Sequence, residues 1–228
     1  MAGSETNSIL LLGIDTCGPA GSVALGRLAG ERLEILGQIE LEGRSYSERL
    51  VAVVGELLSA HNVKLRDVGY IVAVNGPGSF TGVRLGLSAV KGLASGAGTP
   101  VVAVSRLEVL AAKSGADAAA LDAHRNEVFL RVDGRELLAG AMDLAEIPAP
   151  ERIAVCDVSE VLLKSAWPAA ALLKTDAPTA ADALCLAAPR VPAGDFVEIA
   201  LLDGNYLRRS DAEIHFGDAA ETAVPQKA

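Results

Sequence analysis

The stretch from residue 71 to residue 96 constrains the fold of this chain more than any other. Four apolar residues at 71–74 predict a buried strand, which the Asn-Gly-Pro-Gly sequence at 75–78 ends. The predicted helix that follows contains four glycines: Gly82, Gly86, Gly92 and Gly96. Each glycine inside a helix costs about 1 kcal/mol relative to alanine. Something must therefore come very close to this backbone: another helix, a strand of the same chain or a ligand.

The spacing of side chains around this helix predicts two buried faces. An apolar stripe and a stripe of small residues lie next to each other, and a single stripe is polar. The apolar stripe is Phe80, Val83, Leu87, Val90 and Ala94, the small stripe is Gly82, Gly86, Ala89 and Leu93, and the polar stripe is Arg84, Ser88, Lys91 and Ser95. One buried face fits a core, and the other fits a closely packed element. Tight packing of the helix on its own sheet explains this pattern as well as a ligand does.

A glycine-rich turn before a helix is also a place where phosphate binds, because free backbone N–H groups point outward there. The specific motifs fail, since no Lys-Ser or Lys-Thr follows the glycines and Thr81 stands at the last glycine position of the dinucleotide fingerprint. The polar edge of the predicted sheet nevertheless gives a set of candidate nucleotide or phosphate contacts: Asp15, Thr16, Gly76, Gly78 and Ser79. Asp15 fits a hydrated Mg²⁺ and equally fits a turn that satisfies backbone N–H groups.

Composition narrows the class of protein. The chain has 228 residues, half of them hydrophobic, which predicts a folded protein with one large or two small domains. Its net charge of −9 argues against autonomous binding to nucleic acid. No signal peptide and no apolar run of membrane-spanning length is visible, so a cytoplasmic protein is expected. The three cysteines and three histidines have neither disulfide nor metal-ligand spacing, so no metal site is expected.

The order of predicted elements indicates an α/β fold. Up to residue 114 it is β-β-β-α-β-α-β-α, a sheet with helices laid on it. Capping boxes, Ser45 with Glu48 and Ser105 with Glu108, mark the start of two helices. Beyond residue 114 the pattern weakens and predicts a smaller, helix-rich second lobe. We divide the chain into a first lobe (1–104), a second lobe (105–217) and a disordered tail (218–228), with a C-terminal helix near 205–216 that packs back on the first lobe.

Five segments, taken in order, closely resemble the bacterial TsaB (YeaZ) family. They are GIDTCGPAGSVAL at 13–25, NGPGSFTGVRLGLSAVKGLA at 75–94, VVAVSRLEVLA at 101–111, LDAHRNEVF at 121–129 and NYLRR at 205–209. The resemblance is strong over about residues 9–132 and returns at 206–208. It implies a two-lobed actin/hexokinase/Hsp70-like ATPase fold with ribonuclease-H-like lobes.

The resemblance implies a role in making N6-threonylcarbamoyladenosine (t6A) in tRNA. TsaB-like proteins bind and stabilise a catalytic TsaD-like paralogue, a TsaE-like ATPase joins them, and tRNA is reached through the complex. In TsaD-like proteins an H-x-x-x-H motif binds the catalytic metal, and here its histidine positions hold Arg106 and Leu110. The resemblance therefore implies a chain with no catalytic residue and no metal or cofactor of its own. ATP or ADP with Mg²⁺ at the interface of the complex is left open.

The resemblance also implies where the partner docks, namely on the two first-lobe helices at 45–60 and 79–95, as a four-helix bundle. The expected partner-binding residues are Tyr46, Leu50, Val54, Leu57, Gly82, Arg84, Leu85, Gly86 and Ala89. Tyr46 stands where many members have histidine, so a catalytic role at this position is not expected. Without its partner the chain is expected to form homodimers through the same surface. Two alternatives stay open: a stand-alone ATPase or kinase that relies on Asp15 and Thr16, and a glycoprotease-like peptidase.

Overall fold

The computed structural model describes residues 8–42 and 46–208, with only the backbone at Tyr46, and this part of the chain contains two five-stranded sheets. The first sheet begins with three antiparallel strands, β1 (Ser8–Asp15), β2 (Ala20–Ala29) and β3 (Arg32–Glu42). Two strands, β4 (Val68–Val74) and β5 (Val101–Val104), are then added in parallel on the other side of β1. The strand order is β3-β2-β1-β4-β5.

The second sheet repeats this topology. Its strands are β6 (Ala118–Asp122), β7 (Glu127–Val132), β8 (Arg135–Gly140), β9 (Arg152–Val155) and β10 (Ala171–Lys174), in the order β10-β9-β6-β7-β8. As in the first sheet, the first three strands are antiparallel and the last two are parallel additions beside the first. This confirms the predicted α/β fold with two ribonuclease-H-like lobes.

The described part of the predicted second lobe, residues 105–208, contains helices as well as a sheet. Beside the five strands β6–β10 it contains four helices, α3 (Arg106–Ser114), α4 (Ala141–Glu146), α5 (Glu160–Ala166) and α6 (Ala180–Ala187). Three of these strands, β6, β9 and β10, have only four or five residues. β6 consists mainly of alanine, whereas β9 contains the β-branched residues Ile153 and Val155. Trp167 lies in the core of this lobe, where its indole N–H donates to the Leu144 carbonyl oxygen at 3.0 Å.

Three helices cover the first sheet. Helices α1 (Tyr46–Ala60) and α2 (Phe80–Ala97) contact each other and lie on one face, and α6 (Ala180–Ala187) lies on the other. The absence of a side chain at Gly13 lets α6 approach β1, since a Cβ there would lie 2.8 Å from the Ala180 carbonyl oxygen. Although α6 comes after the second sheet in the chain, it belongs to the main core, which is built around the first sheet.

The helix ends follow local capping rules. Ser79 caps α2 by accepting a hydrogen bond from the Gly82 N–H at 3.3 Å, and Gly98 ends that helix with a φ of 68°. Ser105 caps α3 (Arg106–Ser114), as predicted. The predicted cap at Ser45 and the tail at 218–228 lie outside the described residues. Of the helix predicted near 205–216, residues 205–208 are described and are not helical.

No helix within residues 8–42 and 46–208 is long and apolar enough to cross a membrane.

Candidate functional site

The element that approaches the glycine-rich helix is the loop that follows β1. The Thr16 hydroxyl donates a hydrogen bond to the Gly82 carbonyl oxygen at 2.7 Å. A Cβ at Gly82 would overlap the Thr16 carbonyl oxygen, and a Cβ at Gly86 would overlap the Thr16 hydroxyl oxygen. The glycines in the first two turns of α2 are therefore required by the packing of the chain on itself.

The turn before α2 packs against the same loop. The Ser79 N–H donates to the Cys17 carbonyl oxygen at 2.8 Å, and a Cβ at Gly78 would overlap that oxygen. Gly76 has a φ of 112°, which favours glycine, and its carbonyl oxygen accepts from the Arg106 N–H at 2.6 Å. The structure thus brings all five candidate phosphate contacts together.

Two of their donor groups already have partners inside the chain, however. An anion at this place would need hydrogen bonds from the Ser79 N–H and the Thr16 hydroxyl. Both groups already donate their hydrogen bonds to carbonyl oxygens of the chain. This geometry does not favour phosphate between the loop and α2, and nucleotide binding by these residues stays a prediction.

A buried ion pair lies beside this loop. Asp15 is 1% exposed and Arg106 5% exposed, and the Asp15 Oδ2 atom lies 3.7 Å from the Arg106 Nε atom. The other carboxylate oxygen, Oδ1, accepts from the Cys17 N–H at 2.8 Å. Gly18 makes room for the guanidinium, because a Cβ there would overlap an Arg106 nitrogen. A cation of the chain therefore stands next to the carboxylate that was the candidate for Mg²⁺.

Leu110 and Cys17 are the other residues of interest on the elements that carry this pair. Leu110, the second position matched to the metal-binding motif, is fully buried in the core. Burial, and secondarily the Asp15 carboxylate, raises the pKa of the Cys17 thiol well above its usual range. That thiol therefore stays protonated and is a poor nucleophile. Among the described residues, no three histidine, cysteine, aspartate or glutamate side chains are grouped so that they could hold a metal ion.

Most of the predicted partner-binding residues lie inside the chain. Leu50, Val54 and Leu57 are 2–3% exposed and face the sheet, and Gly82 and Gly86 face Thr16. These five residues are buried within the chain in this conformation, and a role for them in partner binding stays a prediction. Of the others, Arg84 is exposed and Leu85 and Ala89 are half-buried, whereas the side chain of Tyr46 lies outside the description. The apolar stripe predicted on α1 is thus its core-facing stripe.

The surface of the helix pair is formed by other residues, which we call the outer helix face: Val51, Ala52, Gly55, Leu85, Ala89, Gly92 and Gly96. Val51 is 59% exposed. A Cβ at Gly55, Gly92 or Gly96 would meet no atom of the described chain within 4 Å. These glycines therefore have no packing role among the residues that the structure describes. Gly92 and Gly96 differ from Gly82 and Gly86 because they lie further along α2 from the loop after β1.

Comparison with known proteins points to one group. The family model for TsaD, tRNA N6-adenosine threonylcarbamoyltransferase, matches residues 36–176. The tRNA threonylcarbamoyladenosine biosynthesis protein TsaB of Haemophilus influenzae is 36% identical over 135 residues, which cover 57% of this chain and 56% of that protein. The protein of the same name from Escherichia coli is 37% identical over 125 residues, covering 52% of each chain. The chain thus spans about half the length of the curated relatives it matches.

Two solved structures from Pseudomonas aeruginosa match a larger part of the chain. One is described as an uncharacterized protein with similarity to peptidase YEAZ; it is 30% identical, with a TM-score of 0.71, over 88% of this chain and 100% of that chain. The other, YeaZ, is 30% identical, with a TM-score of 0.67, over 87% of this chain and 100% of that chain. The similarity therefore includes both lobes.

Proposed function

The chain belongs to the TsaB (YeaZ) family, and on that premise we propose that it serves t6A synthesis in tRNA as the subunit that binds and stabilises a catalytic TsaD-like subunit. The names of the curated relatives, which are tRNA threonylcarbamoyladenosine biosynthesis proteins, support this role. A subunit of this kind acts where tRNA is modified, in the cytoplasm.

The outer helix face is the observation that carries the proposal. Gly55, Gly92 and Gly96 each weaken a helix by about 1 kcal/mol relative to alanine, yet none of them relieves a clash inside the described chain. Small residues on a helix surface allow a second helix to pack at a short interaxial distance. Because α1 and α2 contact each other, two helices of a partner would pack on them as a four-helix bundle. The isolated chain is expected to use the same face to form a homodimer.

The chemistry around Asp15 supports a non-catalytic role for this chain. The Arg106 guanidinium supplies the positive charge next to Asp15, and Thr16 is bound to the backbone of α2. This arrangement gives less support to a stand-alone ATPase or kinase that relies on Asp15 and Thr16. The buried, protonated thiol of Cys17 likewise gives no support to a peptidase. We propose that the metal and the transfer chemistry belong to the TsaD-like subunit, and that ATP or ADP with Mg²⁺ binds at the interface of the complex.

Reconstitution of tRNA modification tests the proposal. The full chain is purified with a TsaD-like subunit and a TsaE-like ATPase from the same cell, and t6A formation is measured with and without this chain. We expect a stable complex of the chain with the TsaD-like subunit and t6A formation that depends on the chain. Absence of a complex, together with t6A formation that does not need the chain, would overturn the proposal.

A further inference from the structure

A groove lies beside the outer helix face, where α2 meets residues 202–208. It has a volume of about 380 Å³, and its lining includes two aromatic rings, three cations and one carboxylate: Phe80, Tyr206, Arg84, Lys91, Arg208 and Asp203. The Asn205 N–H donates to the Asn75 carbonyl oxygen at 2.7 Å. This bond ties the segment that carries Tyr206 to the turn before α2, so the two walls of the groove are held together.

The aromatic rings and one cation form a stack that is open to solvent. The Arg84 Cζ atom lies 3.8 Å from the centre of the Phe80 ring and 5.9 Å from the centre of the Tyr206 ring. The two rings lie 5.4 Å apart and are tilted by 51°. Phe80 is 45% exposed and Tyr206 40% exposed. Large aromatic side chains that lie this far out of the core still have faces on which a planar group can stack.

The groove is positively charged although the chain as a whole carries −9. Arg84 and Lys91 form no ion pair with any residue that the structure describes, and Arg208 pairs with Glu127. Asp203 uses one carboxylate oxygen to accept the Gly204 N–H at 2.7 Å. Two cations without an ion-pair partner among the described residues, about two turns apart on α2, therefore line the same groove as the two rings.

We propose that this groove binds a single-stranded segment of RNA, with a base stacked on Phe80 or Tyr206 and the flanking phosphates next to Arg84 and Lys91. Exposed cations that follow a phosphate backbone, combined with aromatic rings that accept any base, are the general means of binding single strands. A free nucleotide is instead typically held in a pocket that buries most of it among fixed polar groups, whereas the charged groups here stand on long, flexible side chains. The inference rests on the proposed function, which makes tRNA the source of the strand, and assigns the chain a direct RNA contact.

The test is the affinity of the full chain for a fluorescein-labelled single-stranded oligoribonucleotide of about ten nucleotides, measured by fluorescence anisotropy at low salt. We expect at least one of Tyr206→Ala and Phe80→Ala to weaken binding by about 5- to 160-fold, the range typical of loss of one stacked base, and unchanged affinity in both variants would overturn the inference. Matched controls, Phe196→Ala for an exposed ring and Arg152→Glu for an exposed cation, lie outside the groove and should leave affinity unchanged.

The salt dependence reports the phosphate contacts. Two contacts predict that log K falls with log salt with a slope of about −1.4, and Lys91→Glu or Arg84→Glu should bring this slope to about −0.7 or closer to zero. An unchanged slope in both variants would contradict the proposed phosphate contacts. Circular dichroism and the melting temperature show whether each variant is folded, and four independent variants keep the test meaningful if one of them is not.

Competition by three other ligands tests whether the groove prefers single-stranded RNA. Duplex RNA of the same sequence, ATP and a polyglutamate peptide are each expected to compete poorly with the labelled strand. Equal competition by any one of them, or no saturable binding of the strand up to the solubility limit of the protein, would overturn the inference. Capture of the TsaD-like subunit by Tyr206→Ala, which should be unchanged, distinguishes the two proposals. Absence of RNA binding by a wild-type chain that still captures the TsaD-like subunit defeats only the groove, and RNA binding without any capture by the wild-type chain defeats the proposed function.

Discussion

Thr16 and Gly82 are joined by a hydrogen bond of 2.7 Å from the Thr16 hydroxyl to the Gly82 carbonyl oxygen. This bond holds the loop after β1 against the first turns of α2, at a distance that a side chain at Gly82 or Gly86 would not allow. The relationship explains why a helix with several glycines is retained here. Because the loop already lies against these glycines, their packing within the chain accounts for them without a phosphate.

The two glycines should respond differently to changes in Thr16. Gly86→Ala and Gly82→Ala should each lower the free energy of unfolding by about 1–3 kcal/mol through overpacking. The clash at Gly86 is with the Thr16 side chain, whereas that at Gly82 is with its backbone oxygen. Thr16→Ala should therefore recover part of the loss in Gly86→Ala and none in Gly82→Ala. Urea unfolding of the single and double variants measures the coupling, and equal coupling at both glycines would contradict this assignment.

The outward glycines should behave in the opposite way. Because a Cβ at Gly92 meets no atom of residues 8–42 and 46–208 within 4 Å, Gly92→Ala should raise the free energy of unfolding of the isolated chain by about 0.5–1 kcal/mol. Gly55→Ala on α1 is a second site with the same expectation. Urea unfolding at a protein concentration where the chain is monomeric gives the comparison. A loss of stability at both sites would mean that these positions are packed inside the chain.

Replacing only one member of the buried ion pair of Asp15 and Arg106 should strongly lower the free energy of unfolding. Arg106→Leu leaves the Asp15 carboxylate buried without its countercharge and should lower the free energy of unfolding by about 3–5 kcal/mol. Adding Asp15→Ala to Arg106→Leu removes the uncompensated charge and should restore part of that loss. Thermal and urea unfolding of the three variants test this. A double variant that is less stable than Arg106→Leu would show that the two side chains do not act as a pair.

Alkaline pH should destabilise the chain through its thiols. Burial, and secondarily the Asp157 carboxylate, raises the pKa of Cys156 from 9.0 to about 11. The unfolded chain therefore loses this proton first, so the stabilising contribution is complete below pH 9 and is lost as pH rises toward about 11. Urea unfolding between pH 8 and pH 11 should show a smaller decline in Cys156→Ala than in the wild-type chain. Parallel declines would contradict the raised pKa.

The sequence predicts the first lobe well because local signals there agree with the tertiary structure. Ser79 and Ser105 cap their helices where the sequence places them, and β1 to β5 are long or apolar enough to be recognised. In the second lobe, strands such as Ala118–Asp122 are short and rich in alanine, so propensity marks them only weakly. The two ribonuclease-H-like lobes are expected from the family resemblance, and the structure shows the second sheet as a repeat of the first sheet's topology.

The candidate site was only partly predictable for a different reason. Helical periodicity identifies the stripe that contains Leu50 and Val54, but it does not tell whether that stripe faces a sheet or a partner. The answer depends on which face of the helix pair packs on the sheet. In the structure, the face that contains Leu50 and Val54 packs on the sheet. Likewise, Phe80 and Tyr206 are far apart in the sequence, and their contact depends on how residues 202–208 return to α2.

The most direct test of the central claim is the affinity of a TsaD-like subunit for two matched variants of this chain. Gly92→Leu places a bulky side chain on the outer helix face, whereas Ala112→Leu adds the same side chain at an exposed position of α3. Isothermal titration calorimetry should show at least about ten-fold weaker binding for Gly92→Leu, with binding by Ala112→Leu and the melting temperatures of both variants unchanged. Equal affinities for the two variants would contradict the claim that the partner docks on the outer helix face.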